Sequence, residues 1–179
     1  MNNELINVFE WFVCNKLSLN FKKTHTMVFT NRTVDKNIKI CFNNNIIEKV
    51  DSCKFLGIVI DDKLTWKNHC QKILTLISRN LGILRKLRYY VPSRILCSIY
   101  NTLSLPHLQY GILAWGNTHK TYLDKLLVIQ KKSLRLINGS SFMDHSGPLF
   151  VKFNTLSVYD IYKYQLCALM YNFEKIHCL

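Results

Sequence analysis

The chain has 179 residues, with 24 lysines and arginines against 11 acids, a formal net charge of +13. It is 49% hydrophobic and holds only 6 Gly and 3 Pro. This excludes a disordered, collagen-like or low-complexity polymer and leaves ample material for a buried core. The excess of base predicts a polyanionic partner, nucleic acid or an anionic membrane surface, and charge alone does not choose between them.

In chain order, Glu4 to Leu17 places Leu5, Ile6, Val8, Phe9, Phe12 and Val13 at helical spacing, and Asn15 and Lys16 end that helix. Thr26 to Thr30, Ile38 to Phe42 and Phe55 to Ile60 are rich in β-branched and aromatic residues and are expected as strands. Asn43, Asn44 and Asn45 supply a turn after the second. Beyond Asp62 the pattern becomes helical. Thr65 is an N-cap for a long helix from Trp66 to about Tyr89, with Trp66, Ile73, Leu76, Ile77, Leu84 and Leu87 on one face. Pro92 stops it, and Ser93 opens a second helix to about Leu103. Pro106 to Leu113 forms a third, irregular near Gly111, and Tyr122 to Ile137 a fourth with a broad apolar face. Asn138 to Ser141 is the clearest loop, and Val158 to about Ile176 a final helix carrying Ile161, Tyr164, Leu166, Leu169, Met170 and Phe173. The fold class is α+β: a helix with a small, mostly antiparallel sheet, then an all-α bundle. The expected boundaries are 1–62, 63–138 and 139–179.

The charge is unevenly placed. Between Lys63 and Leu123 there are nine bases and no acid, whereas the first 62 residues hold seven of the eleven acids. A single lysine on a helix is usually just a solvated side chain, but ordinary surfaces intersperse both signs over such a length. Bases on rigid helices, with Tyr89 and Tyr90 beside Arg88, suit tracking of a phosphate backbone with some stacking. A basic membrane-surface helix competes, but its apolar face is needed for the core. The other reading is a helical interaction module whose basic face docks an acidic protein.

Seven cysteines, the closest pair eleven apart, give neither a CxxC half-site nor a small disulfide framework, so reduced thiols packed as small hydrophobes are expected. His69-Cys70 and His177-Cys178 are neighbours that diverge on a helix, and no metal site is expected. His25, His107 and His145 have no evident partner in the sequence. Met1 to Glu10 has no basic n-region, and the longest uncharged stretch, Ile95 to His119, carries too many polar residues to span a membrane. A soluble protein of the nucleus or cytoplasm, not secreted, is expected. Asp61-Asp62 after an apolar strand has the look of a two-metal carboxylate pair. A further carboxylate would have to come from Asp35, Glu48 or Asp51, all in turn-like contexts. The pair is read as a strand terminator ahead of a helix, where negative charge is favoured. No GxSxG, HExxH, Walker or GxGxxG motif occurs.

Several stretches together resemble one family. Trp11-Phe12, then NKLSLNFKKT (Asn15 to Thr24) and an MVF strand, resembles a palm motif of non-LTR (LINE-type, jockey- and CR1-like) retrotransposon reverse transcriptases. FLGI (Phe55 to Ile58) with VIDDKLTW (Val59 to Trp66) resembles their primer-grip hairpin and its exit into the thumb. LPHLQYGILAWG (Leu105 to Gly116) and LLVIQKKSLRLI (Leu126 to Ile137) are similar to the helices that follow. The match runs in the family's order from about Leu5 to Ile137.

The resemblance implies a palm-like edge at 1–62, a basic thumb-like domain at 63–138 and a helical extension at 139–179. It implies Lys23 as the palm-motif lysine near the incoming triphosphate, and Phe55, Leu56 and Gly57 at the primer grip. Lys67, Arg79, Arg85, Lys86 and Arg88 would then contact nucleic acid. The partner implied is an RNA/DNA primer–template duplex, together with the missing upstream polymerase segment. The family's Mg²⁺-binding aspartates have no counterpart here, so the chain is expected to be a downstream fragment, with no catalytic residue and no cofactor of its own, inactive as a polymerase alone.

Overall fold

The computed structural model describes residues 2–30, 40–42 and 45–177. The protein is α+β and divides into two compact units, one ending at Leu64 and the other beginning at Thr65.

The first unit opens with α1 (Asn2–Cys14). It stops where the sequence predicts, at Asn15 and Lys16: the Asn15 side chain donates to the Trp11 carbonyl at 2.7 Å, and Lys16 turns left-handed with φ 54°. A 3-10 turn, Phe21–Lys23, is capped by the Asn20 side chain, which accepts from the Lys22 N–H. The strand expected over Thr26 to Thr30 shrinks to β1 (His25–Thr26). Of the expected strand Ile38 to Phe42, residues 40–42 form β2 (Ile40–Phe42), while Ile38 and Lys39 lie outside the described residues, as do Asp35, Asn43 and Asn44.

Two strands escaped sequence analysis, β3 (Asn45–Lys49) and β4 (Ser52–Phe55). β3 pairs parallel with β1 and antiparallel with β2, giving the order β1-β3-β2.

The stretch FLGIVI is not one strand. Phe55 ends β4, Leu56 and Gly57 turn, and β5 (Ile58–Asp61) returns antiparallel with Phe55 opposite Ile58. Leu56 (φ 46°) and Gly57 (φ 87°) both have positive φ, the geometry of a two-residue turn whose twist matches its strands. Glycine adopts it freely; leucine does so at a steric cost. Sequence periodicity missed the turn because the apolar run continues through it.

The second unit is helical: α2 (Lys67–Leu87), α3 (Ser93–Leu103), α4 (Leu105–Gln109), α5 (Ile112–Trp115), α6 (Lys120–Asn138), α7 (Gly147–Lys152) and α8 (Val158–His177). Trp66, left-handed with φ 60°, occupies the N-cap of α2 in place of Thr65, whose hydroxyl accepts from the Lys67 N–H at a long 3.4 Å. The irregularity expected at Gly111 is a complete break: Gly111 has φ 62°, α4 ends before it and α5 starts after it. α7 was not foreseen; its Pro148 sits in the first turn, where the missing N–H is unneeded.

Two apolar clusters hold this unit together. One joins Cys70, Ile73, Ile77 and Leu81 of α2 to Leu108, Ile112 and Trp115, to Leu123, Leu126 and Ile129 of α6, and to Val158 and Ile161 of α8. The other joins Leu84 of α2 to Leu96 and Tyr100 of α3, Leu134 and Ile137 of α6, and Leu149 of α7. The early part of α2 therefore meets the early part of α6, and late meets late. The two helices run parallel. His69 is buried on α2, edge-on to Trp115 with ring centroids 5.5 Å apart; burial, reinforced by Lys72, pushes it down to about 4 and keeps it neutral.

The late part of α8 is not the core face its periodicity predicts. Ile161 is buried, but Tyr164, Leu169, Met170 and Phe173 are exposed. Of the described cysteines, Cys70 is buried, Cys53 and Cys97 are half-buried, and Cys14 and Cys167 are exposed, so packing as a small hydrophobe fits Cys70 best. Cys41 and Cys178 are outside what can be described of side chains.

Candidate nucleic-acid interface

Parallel α2 and α6 bring their C-terminal turns to the same end of the helical unit. Each such end carries about half a negative charge from its unpaired carbonyls, and cations in the last turn are favoured there. Arg85 and Lys86 lie in the last turn of α2, and Arg135 in that of α6. Between these ends lies a cleft of about 310 Å³, lined by Arg85, Arg88, Lys132, Arg135 and Phe142, with Leu81, Leu136 and Ser140. Four full positive charges face about one negative charge from the two helix ends, so the cleft is strongly positive. Among the described residues no carboxylate lines it, and none pairs with these four cations.

The cleft is closed on one side by the loop after α6. Gly139 (φ 73°) ends the helix, its N–H and that of Ser140 returning to the last carbonyls. The loop is then pinned: the Asp144 carboxylate accepts from the Ser141 N–H at 2.7 Å, and Arg135 Nε donates to the Asp144 carbonyl at 2.8 Å. Lys152 donates to the Asn138 side chain at 2.6 Å. This geometry presents Phe142, 68% exposed, beside Lys132 and Arg135, whose charged ends stand 6.0 and 5.9 Å from the ring centroid. On the opposite wall Arg88 lies 5.0 Å from the Tyr89 ring. Arg135 also borders a second cleft of about 570 Å³, with Lys131, His145, Ser146 and Phe150 among its walls.

Of the five cations singled out in the sequence, Arg85 and Arg88 meet at the cleft. Arg79 and Lys86 are exposed, and the 3.6-residue period points them away from the buried stripe of α2. Lys67 begins α2, about 27 Å along the axis from Arg85. Lys132, Arg135 and Phe142 were missed. Asp124 ended the acid-free run, although Lys132 and Arg135 stand at the i, i+3 spacing that would have placed them on one face.

In the first unit, Lys23 is exposed at the end of the 3-10 turn, and Phe55, Leu56 and Gly57 form the exposed tip of the β4–β5 hairpin. Asp61 is buried at the end of β5, and the N–H of Asp62 donates to the Asp51 carbonyl at 3.0 Å. His25, expected to be without a partner, lies 3.9 Å from the Glu48 carboxylate, because parallel pairing sets these residues opposite each other. Among the described residues no group of three or more His, Cys, Asp or Glu stands together as a metal site, and no helix is long and apolar enough to cross a membrane.

No family model matches the chain, and no solved structure matches it. The RNA-directed DNA polymerase from mobile element jockey of Drosophila melanogaster is 28% identical over 142 residues, 76% of this chain and 15% of that protein. Its counterpart from Drosophila funebris is 29% identical over 137 residues, 73% of this chain and 14% of that protein. The probable RNA-directed DNA polymerase from transposon X-element of Drosophila melanogaster is 24% identical over 159 residues, 84% and 17% of the two lengths. The chain thus spans about 15% of the length of the jockey polymerases it matches. The homologues of this chain are RNA-directed DNA polymerases of non-LTR retrotransposons, the family that its sequence resembles.

Proposed function

We propose that the chain is the primer-grip edge and thumb of a non-LTR reverse transcriptase, holding a primer–template duplex through its helical unit and unable to polymerise alone. The observation that carries this reading is the meeting of Arg85, Arg88, Lys132 and Arg135 at a cleft that no described carboxylate lines, in a chain whose relatives are RNA-directed DNA polymerases. Such a cluster neutralises successive phosphates and releases their counterions, which gives affinity without sequence preference. The exposed Leu56–Gly57 tip allows close backbone approach to a primer end. Mg²⁺, which serves the intact family enzyme, does not fit the residues described: Asp61 is buried, Asp62 is half-buried, and no third ligand stands with them. In this reading the catalytic carboxylates come from another segment of the polymerase.

The test is binding of the full chain to a labelled RNA–DNA primer–template, followed by fluorescence anisotropy from low to high salt. The logarithm of the association constant should fall linearly with the logarithm of salt. Replacing Arg85 and Arg88 together by Gln should weaken every duplex alike and reduce that slope by about 2. Affinity indifferent to salt overturns the reading. A double variant that keeps duplex binding but loses an acidic protein partner favours an interaction module instead. Adding Mg²⁺ and deoxynucleotides to the same complexes should extend no primer; extension abolished by Asp61→Ala or Asp62→Ala overturns the inactive assignment.

A further inference from the structure

Phe142 is a large apolar side chain left 68% exposed on a loop that its own hydrogen bonds hold in place. Lys132 and Arg135 support the ring, and its remaining surface is open beside a cleft walled by four cations. A volume of about 310 Å³ is at the lower end of small-ligand sites. It admits one nucleotide, whereas a duplex can only lie across its mouth. Bases inside a duplex are stacked on one another and offer an aromatic side chain no free face. Unpaired bases do, and stacking on exposed aromatic rings above a cationic groove is how single strands are held without sequence preference.

We propose that this cleft binds an unpaired strand. Arg85, Arg88 and Lys132 hold its phosphodiester backbone, and Phe142 stacks one of its bases. Arg135 serves mainly to position the loop, since its Nε is committed to the Asp144 carbonyl. The proposal rests on the reading of the helical unit as nucleic-acid-binding and adds a substrate class to it: a single-stranded flank next to the duplex.

The experiment uses the full chain and three labelled probes of equal length, about 12 nucleotides. They are a mixed-sequence single strand, the same backbone without bases, and the fully paired duplex. Phe142→Ala should weaken single-strand binding roughly tenfold, leaving the abasic strand, the duplex and every salt slope unchanged. Phe142→Trp should restore single-strand binding to at least the original level. If Phe142→Ala leaves single-strand affinity unchanged, or weakens all three probes alike, the stacking assignment is overturned while salt-sensitive duplex binding stands. If the unmodified chain binds none of the probes, both the proposal and the reading beneath it fail.

Discussion

Gln130 carries more of the helical unit than its place in a polar-looking stretch of sequence suggests. It is fully buried in α6; its Nε2 donates to the Leu156 carbonyl at 2.8 Å, and its Oε1 accepts from the Val158 N–H at 3.0 Å. That N–H begins α8 and has no partner within its own helix, so one side chain caps a helix from a different element. Gln130→Leu keeps the volume but strands a buried donor. It should cost about 2 kcal/mol in urea unfolding, whereas Gln71→Leu, on the exposed face of α2, should change little. The charge of Arg85 and Arg88 is legible in the sequence; the part played by Gln130 is not, since a glutamine in a helix shows its partners only once the chain is folded.

At the scale of elements, Pro92 marks the stop after α2 and Gly139 the end of α6 as the sequence implies, whereas Gly111, expected only as an irregularity in one helix, divides α4 from α5. An apolar run hid the turn at Gly57, and α7, which opens on Gly147-Pro148, had no counterpart among the expected elements. Two glycines make opposite predictions. A Cβ on Gly82, mid-α2, would meet nothing within 4 Å, so Gly82→Ala should stabilise the fold by about 0.5–1 kcal/mol through helix propensity. A Cβ on Gly116 would lie 2.5 Å from both the Ile112 carbonyl oxygen and Tyr162 Cδ2, pressing α5 away from α8. Gly116→Ala should therefore destabilise by about 1–3 kcal/mol. Thermal unfolding of the pair checks both signs, and this close approach explains why the LPHLQYGILAWG stretch ends in glycine.

Across the whole molecule the two units differ in how their apolar surface is covered. The helical unit buries two clusters that include Trp115, Tyr100 and Ile77, whereas in the first unit Asp61 is the one residue classed as buried among those described. There Trp11, Phe29, Phe55 and Leu56 are more than half exposed. A unit with so little buried among its described residues opens at little cost in free energy. Hydrogen exchange should accordingly show slow amides through α2 and α6 and fast exchange through α1 and β3–β5; comparable protection in both units would contradict this account.

The α+β class, the approximate spans of the long helices, the acid-free basic stretch and the likeness to non-LTR polymerases all follow from the linear sequence. These depend on composition and on periodicity within one segment, which a linear reading captures. That α2 and α6 run parallel, so that Arg85 and Arg88 meet Lys132 and Arg135 with Phe142 beside them, emerges only in the folded chain. Hydrophobic burial fixes which helices touch, but the apolar pattern of a helix is the same for a parallel or an antiparallel neighbour. The direction of packing, and with it the place where the charges converge, is settled by the chain as a whole.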